Sequence, residues 1–314
     1  MAGRRRSNIV VDLSTTVGSL SLRSPVMTAS GTAGHGDELS AYVDLSMLGA
    51  VVVKSLSAGP WAGNRSPRVH ETPAGMINSV GLQGPGVRAW LEEELPAVLA
   101  TGATVVASIW GSTIDDYSQA AELLIDAPAG VVAVEVNVSC PNHHDRNRMF
   151  AHSPDSTAEA VQAASVCGRP MWAKLSPNVS DLASIAAAAY EAGADAVTLV
   201  NTVLGMAIDP ETRTYRLGNG GGGLSGPAIH PVAVRAVHDV AAAHPEIPII
   251  GVGGVARGVD AIELMMAGAC AVQVGTASFA DPRSVIRVQN EIEQWCSDHG
   301  VRSVQELIGV VHGH

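Results

Sequence analysis

Short apolar runs recur along the chain and alternate with Ala-rich segments of helical periodicity. Apolar residues three and four positions apart predict amphipathic helices over residues 181–192, 231–243 and 259–267. The apolar runs predict buried strands, which we place at residues 26–29, 50–54, 105–109, 134–138, 171–175, 196–200, 249–252 and 271–274.

This alternation predicts an α/β fold, a (β/α)8 TIM barrel, as one domain over residues 1–314. The alternative is a doubly wound sheet, whose nucleotide fingerprint is G-x-G-x-x-G. Gly251 and Gly253 fit that fingerprint, but Ala256 takes the third place and the segment is not in the first βα turn. The barrel is therefore favoured.

Segments outside the repeat predict further features. Residues 11–23 alternate around Gly18, as in an N-terminal hairpin, and residues 1–8 are expected to fray. Three connections are too long for plain turns and are expected to carry function. The first of them is expected to contain a small hairpin around Pro73–Gly75. These long loops over the active site span residues 56–86, 141–154 and 205–227.

One strand ends in a thiol. Residues 131–138 are almost all apolar, and the sequence S-C-P-N then ends the strand at residues 139–142. Ligands of parallel α/β folds bind at the carboxyl ends of strands, which places Asn137, Cys140 and Asn142 where chemistry is usually done. A lone cysteine is more often structural, but here two amides flank it.

Composition excludes several classes of function. A net charge of −11 and a pI near 5.4 argue against a nucleic-acid partner, which needs a basic face. No apolar run approaches the length of a membrane span, and no signal peptide is recognisable, so we expect a cytoplasmic protein. The four cysteines form no C-x-x-C pair, which speaks against a zinc or iron–sulfur site within the chain.

Glycines at the ends of the seventh and eighth strands predict a phosphate site. Gly253, Gly254, Gly275 and Thr276 lie where backbone N–H groups of a barrel commonly bind phosphate. The glycine-rich segment 220–226 either adds a donor to the same anion or forms a flexible hairpin base.

Two lysines and several amides predict an anionic, heterocyclic ligand. Lys54 and Lys174 end apolar strands, so each ammonium must reach water or an anion. Side-chain amides offer hydrogen-bond donors and acceptors without charge, which suits a ring edged with carbonyl and N–H groups. The amides at strand ends and in the long loops are Asn78, Asn137, Asn142 and Asn201, and Thr202 follows the last of them. Cys140 could act as a nucleophile activated by His143 or His144, or as a general base aided by the lysines.

Four motifs together resemble the class 1 dihydroorotate dehydrogenases, most closely the catalytic subunit of the B-type enzyme. The resemblance extends from A-S-G at residues 29–31 to F-A-D-P at residues 279–282. Its most specific parts are PRVHETPAGMINSVGLQ (67–83), NVSCPN (137–142), KLSPNV (174–179) and GGLSGPAI (222–229).

The resemblance implies an FMN enzyme that oxidises (S)-dihydroorotate to orotate in de novo pyrimidine synthesis. Cys140 matches the base that removes the C5 proton while C6 delivers a hydride to flavin N5. Matches to substrate-binding positions are Lys54, Asn78, Ser79, Val80, Gly81, Leu82, Asn137, Asn201 and Thr202, with Asn142 beside them. Matches to flavin-binding positions are Ser30, Lys54, Ser55, Asn137, Lys174, Val200, Gly226, Gly253, Gly254, Gly275 and Thr276.

Three places depart from the family pattern. Ser108 stands where Asn commonly lies near the flavin, so we count it among the flavin-binding residues and expect its contact to be weakened or re-routed. Gly84 replaces an Asn, and the lid at residues 143–151 lacks the usual glycines.

The resemblance also implies partners. B-type relatives pass electrons to NAD through a subunit carrying FAD and a [2Fe-2S] cluster, which would make a homodimer within a heterotetramer. A-type relatives are homodimers that reduce fumarate. Other readings are a different flavin barrel acting on a pyrimidine and, less favoured, a non-redox phosphate-binding barrel or an inactive one.

Overall fold

Eight parallel strands form a barrel in the computed structural model, which describes residues 10–139 and 149–313. The strands are β1 (Val26–Thr28), β2 (Val51–Val52), β3 (Val105–Ile109), β4 (Val131–Asn137), β5 (Met171–Lys174), β6 (Ala196–Leu199), β7 (Ile249–Val252) and β8 (Ala271–Val274). All eight predicted strands and the predicted barrel are confirmed. The largest difference is at β4, which begins at Val131 because its run of β-branched residues starts there.

The order of the strands around the barrel is β1-β8-β7-β6-β5-β4-β3-β2. Between β1 and β2 the pairing is reduced to a parallel bridge that joins Met27 to Ala50. The Val52 N–H also donates to Thr28 Oγ1 at 2.8 Å. These bonds bring the two edge strands together, so the sheet closes on itself.

Helices lie between the strands and cover the outside of the barrel. They are α1 (Val87–Ala89), α2 (Leu95–Ala100), α3 (Ile114–Glu122), α4 (Pro154–Ala164), α5 (Leu182–Glu191), α6 (His230–Ala243), α7 (Gly258–Met266), α8 (Ala277–Ala280) and α9 (Ser284–His299). A π-helical turn at Trp90–Glu94 joins α1 to α2. Short 3-10 turns occur at Glu38–Ala41, Leu45–Met47, Phe150–His152, Ser165–Cys167, Pro227–Ile229, Val304–Leu307 and Val310–Gly313.

The three predicted helices are confirmed as α5, α6 and α7. The first of them starts after Asp181 because that side chain accepts a hydrogen bond from the Ser184 N–H at 3.0 Å, which caps the helix. Within residues 10–139 and 149–313, no helix is both long and apolar enough to cross a membrane.

The predicted N-terminal hairpin closes the amino end of the barrel. Its strands, Thr15–Val17 and Leu20–Leu22, bury Val17 and Leu22 against the lowest side chains of the barrel interior. That apolar layer consists of Met27, Val52, Val106, Ala133, Trp172, Ala196, Ile250 and Ala271. The hairpin therefore makes the carboxyl ends of the strands the open face of the barrel.

A buried polar layer lies above the apolar one. Side chains two positions apart on a strand point the same way, so the residues two places beyond Val106, Ala133, Trp172, Ala196 and Ala271 also face the barrel interior. All of them are buried, and they are Ser108, Glu135, Lys174, Thr198 and Gln273. This layer forms the floor of the open face.

A four-stranded antiparallel sheet, here called the cap sheet, covers the open face. Its strands, in spatial order, are Val203–Met206, Gly221–Ser225, Gly75–Asn78 and Val69–Thr72. The predicted small hairpin at Pro73–Gly75 is confirmed as its outer pair. A further hairpin, Ile208–Asp209 with Thr214–Tyr215, extends from the same loop. Two of the three long loops thus form one structure.

Candidate active site

A cavity of about 1420 Å³ lies between the carboxyl ends of the barrel strands and the cap sheet. The predicted site residues that line it are Ser30, Lys54, Ser55, Asn78, Ser79, Val80, Gly81, Leu82, Asn137, Lys174, Val200, Asn201, Thr202, Gly226, Gly253, Gly254, Gly275 and Thr276. Cys140 and Asn142 lie outside the described residues, as do His143 and His144. Residues far apart in sequence therefore converge on one site.

The amide of Asn137 is the centre of a hydrogen-bonded cluster at the end of β4. Its Nδ2 donates to Ser55 Oγ at 3.2 Å, and its Oδ1 accepts from Asn201 Nδ2 at 3.2 Å. Ser55 Oγ lies 3.0 Å from Ser30 Oγ. The Tyr117 hydroxyl donates to the Asn137 carbonyl oxygen at 2.8 Å, which fixes the strand end. These bonds hold the amides in defined orientations before any ligand arrives.

Thr202 and Leu204 are held by Asn178, a residue that the sequence does not single out as part of the site. Asn178 Nδ2 donates to the Thr202 carbonyl oxygen, and its Oδ1 accepts from the Leu204 N–H, both at 2.9 Å. Asn178 belongs to the K-L-S-P-N segment, so its position after a strand was the available signal. A Cβ on Gly223 would lie 2.0 Å from Thr202 Oγ1, so this position of the cap sheet requires glycine.

Lys54 is a half-buried cation at the edge of the cavity. Its Nζ donates to the Gln83 carbonyl oxygen. Burial lowers the pKa of Lys54, and the nearby Arg68 charge lowers it further. Burial and then the charge of Lys54 also lower the pKa of His35, so that imidazole is neutral at pH 7. Lys54 is thus placed to meet an anionic group of a ligand.

Lys174 has an internal partner that the sequence did not predict. Its side chain is only 6% exposed, and Nζ lies 3.4 Å from Glu135 Oε1. Glu135 is fully buried in the strand that the pattern predicts as almost all apolar. The alternative of an ammonium at the surface is therefore wrong for Lys174. The signal for the Glu135–Lys174 pair in the sequence was Glu135 itself, because a charged side chain within a buried strand needs a partner.

Ser108 lies below the cavity rather than on its wall. Its Oγ is fully buried, 2.8 Å from Ser55 Oγ and 3.5 Å from Glu135 Oε1. The hydroxyl therefore supports Ser55, which does line the cavity. A direct contact of Ser108 with a flavin stays a prediction.

The turns after β7 and β8 carry free donors. Among the described residues, the backbone N–H groups of Gly253, Gly254, Gly275 and Thr276 donate no hydrogen bond. A Cβ on Gly254 would approach His230 Cβ to 2.6 Å at a φ of +71°, so the turn requires glycine. Free N–H groups at strand ends fit a phosphate group.

Most of the glycine-rich segment 220–226 is a regular strand of the cap sheet. Gly221–Ser225 is a cap-sheet strand paired on both sides, rather than a flexible hairpin base. The neighbouring Gly226 lines the cavity. Ser225 Oγ accepts from Thr276 Oγ1 at 2.8 Å, which connects the cap sheet to the turn after β8.

The described cysteines are structural. Cys167, Cys270 and Cys296 are free and buried, and burial raises the pKa of Cys270 to about 11. In the part of the chain that the structure describes, no group of His, Cys, Asp and Glu side chains could hold a metal ion. His152, which the sequence reasoning also missed, lines the cavity with a buried Nε2 that has no partner among the described residues.

Comparison with known proteins identifies the family of this chain. The sequence profile described as Dihydroorotate dehydrogenase matches residues 12–295. The chain belongs to the dihydroorotate dehydrogenase family. This family membership confirms the resemblance found in the sequence motifs.

Two relatives in the dihydroorotate dehydrogenase family have the name dihydroorotate dehydrogenase B (NAD(+)), catalytic subunit. The protein of Geobacter sp. (strain M21) is 47% identical over 301 residues, covering 96% of this chain and 98% of the relative. That of Desulforudis audaxviator is 47% identical over 303 residues, with the same coverage. A Solibacter usitatus relative, 48% identical over 300 residues (95% and 98%), has the provisional name dihydroorotate dehydrogenase A (fumarate).

Proposed function

We propose that this chain oxidises (S)-dihydroorotate to orotate, using FMN, in de novo pyrimidine (UMP) synthesis. The observation that carries the proposal is that the predicted substrate-binding and flavin-binding residues within the described part of the chain, except Ser108, all line one cavity. A volume of about 1420 Å³ exceeds the roughly 300–1,000 Å³ typical of a site for one small ligand. A cofactor and a substrate together would use this space.

The cavity fits FMN at both of its ends. The free N–H groups of Gly253, Gly254, Gly275 and Thr276 would hold the phosphate. The ring and ribityl chain would contact Ser30, Lys54, Ser55, Asn137, Lys174, Val200 and Gly226. When bound, FMN supplies the acceptor for a hydride from substrate C6.

The chain's own residues would bind and deprotonate the substrate. Lys54 would pair with its carboxylate, while Asn137, Asn201 and Thr202 would bind the polar edge of its ring. Asn142 and the segment 78–82 would complete this pocket. Cys140 would take the C5 proton as a thiolate. Because the amides already bond to one another, their side chains lose little further conformational entropy when the substrate binds.

An anaerobic visible spectrum of the purified chain, recorded before and after addition of dihydroorotate, tests the proposal. We expect a yellow flavin spectrum that bleaches with substrate. Flavin that stays oxidised would contradict the substrate assignment and favour another pyrimidine. A colourless protein, still inactive after FMN is supplied, would favour a non-redox phosphate-binding barrel.

For the electron acceptor we favour the B-type arrangement. The names of most of the relatives above include the words catalytic subunit and NAD(+), which implies a second subunit carrying FAD and a [2Fe-2S] cluster. The assembly would be a heterotetramer built on a homodimer of this chain. The Solibacter usitatus relative supports the A-type homodimer with fumarate as the second candidate.

A further inference from the structure

The polar layer beneath the cavity is a closed hydrogen-bond network around Glu135. Its Oε2 accepts from Gln273 Nε2 at 2.7 Å and from Thr198 Oγ1 at 3.3 Å. Its Oε1 accepts from Lys174 Nζ at 3.4 Å and from Ser108 Oγ at 3.5 Å. Five barrel strands therefore contribute one side chain each to the network.

This arrangement fits an ionised carboxylate. The ammonium of Lys174 and the amide N–H of Gln273 can only donate, and they bond to different oxygens of Glu135, so each oxygen accepts at least one hydrogen bond. The hydroxyl groups of Thr198 and Ser108 complete the set of neighbours. A fully buried charge persists only when it is paired and hydrogen-bonded, and here it is both.

Lys174 is held from two sides and faces the cavity. Its Nζ donates to Glu135 Oε1 and, at 3.2 Å, to Gln273 Oε1. An ammonium has three donors, and Lys174 is a lining residue of the cavity. One N–H thus remains for a ligand above the floor. A buried ammonium without a counter-ion tends to lose its proton, so the remaining donor depends on Glu135.

We propose that Glu135 is a positioning residue that keeps Lys174 protonated and directed at the flavin ring. This inference rests on the proposed function. Glu135 would touch neither FMN nor substrate; it would act through Lys174 and, by way of Ser108, through Ser55. An ammonium beside the ring stabilises negative charge that develops there on electron uptake. Glu135 would therefore set how readily the bound cofactor accepts electrons.

Other titratable groups share the cavity with Lys174. They are Lys54, which follows β2, His70 and Glu71 of the cap sheet, His152, Asp281 and Arg287. None of them has a hydrogen bond or ion pair to Lys174 among the described residues. Their titration should affect every variant equally, so a comparison between variants isolates the contribution of Lys174.

The test measures the midpoint potential of bound FMN from about pH 5 to about pH 9, because burial can lower the pKa of an unpaired lysine by up to about 3–5 units. The variants are Glu135→Gln, Lys174→Met and the double variant. Asp239→Asn is the matched control, because it removes an exposed carboxylate on α6 that pairs with Arg235. FMN affinity of the apoproteins and the unfolding free energy are measured alongside.

We expect Glu135→Gln to show a pH step that the wild type lacks. At low pH its uncompensated ammonium should raise the potential above that of the wild type. At high pH the lysine should be neutral, and the potential should fall to that of the double variant, which has neither charge. The double variant should show no such step, and Asp239→Asn should match the wild type.

A constant difference between Glu135→Gln and the wild type at every pH would overturn the inference. If Glu135→Gln does not fold but the double variant does, the counter-ion role is supported, because only the unpaired ammonium differs. If neither folds, Glu135 is merely structural and the inference is wrong. Absence of FMN from the wild-type protein would instead refute the proposed function, which keeps the two failures distinct.

Discussion

Lys54 combines a positive charge with partial burial, and this combination makes ligand binding depend on pH. Its pKa is lowered by burial and by Arg68, so the ammonium loses its proton at a lower pH than an ordinary lysine does. Binding of an anion is therefore complete below this lowered pKa and weakens as the pH rises through it. We expect the Kd of orotate to increase on the alkaline side.

The control is Lys54→Met, measured by titrating orotate into the oxidised enzyme and following the flavin absorbance. Loss of a charge-assisted bond should weaken binding about 10- to 100-fold. The alkaline step should also disappear. A variant that keeps the same pH step would show that another group titrates.

A second prediction about a single residue concerns Cys140. Cys140→Ser should lower turnover at neutral pH by about 10²- to 10⁴-fold, because a serine hydroxyl is a far weaker base than a thiol. Flavin should stay bound, and orotate formation should be followed together with flavin content. Cys167→Ser, a buried cysteine away from the cavity, is the control and should keep its turnover. Full activity in Cys140→Ser would refute the base assignment.

The sequence predicts which single residues line the site better than it predicts how they are paired. Lys54 and Asn137 were found because polar side chains at strand ends must face the open end of a barrel. Glu135 was missed because a single charge has little weight in an apolar run. Its pairing with Lys174 and Gln273 joins three strands, and strand periodicity has no information about such contacts.

At the scale of elements, the turn after β7 offers a test of the phosphate site. Gly254→Ala would force a Cβ to within 2.6 Å of His230 Cβ at a φ of +71°. Gly300→Ala after α9 has a φ of +76° but nothing within 4 Å, so it shares the backbone strain of about 1–2 kcal/mol without the crowding.

We expect Gly254→Ala to lower FMN affinity at least about tenfold, because the displaced N–H groups lose charge-assisted bonds. Gly300→Ala should keep its FMN while losing similar stability. Fluorescence titration of the apoproteins with FMN measures both affinities. Equal FMN affinity in the two variants would argue against a phosphate site in this turn.

The N-terminal hairpin should affect stability without affecting the site. Val17 is fully buried against the apolar layer, so Val17→Ala should lower the free energy of unfolding by about 2–3 kcal/mol. Val10→Ala, at a side chain that is 92% exposed, is the control and should change little. Urea unfolding gives both values. A changed flavin spectrum in Val17→Ala would contradict this separation.

The barrel strands were predictable because strands covered on both faces form continuous apolar runs. The cap sheet could not be predicted in this way. Only its outer hairpin has a local turn signal, at Pro73–Gly75. The pairing of Gly75–Asn78 with Gly221–Ser225 depends on the closure of the barrel between them, which local patterns do not describe.

At the scale of the whole molecule, the prediction concerns the electron acceptor that reoxidises the flavin. The described residues contain no metal-binding cluster, and the sequence has no C-x-x-C pair. Because the B-type relatives are named as catalytic subunits of a larger enzyme, we expect the chain alone to be reduced by dihydroorotate but to leave NAD⁺ unreduced. Adding an FAD/[2Fe-2S] electron-transfer subunit should start NADH formation. Rapid turnover of the isolated chain with fumarate would instead support the A-type arrangement.

The cap sheet also has a consequence for how the protein folds. Asn78 Nδ2 donates to the Gly223 carbonyl oxygen across 145 positions of sequence, and four barrel strands lie between the two residues. Contacts of such long range form late, because closing the intervening chain costs entropy first. The wall over the cavity should therefore assemble late during synthesis, as should the pairing of β1 with β8, in which Val26 and Val272 lie still farther apart in sequence. A nascent chain would become able to bind its substrate only once the barrel beneath is complete.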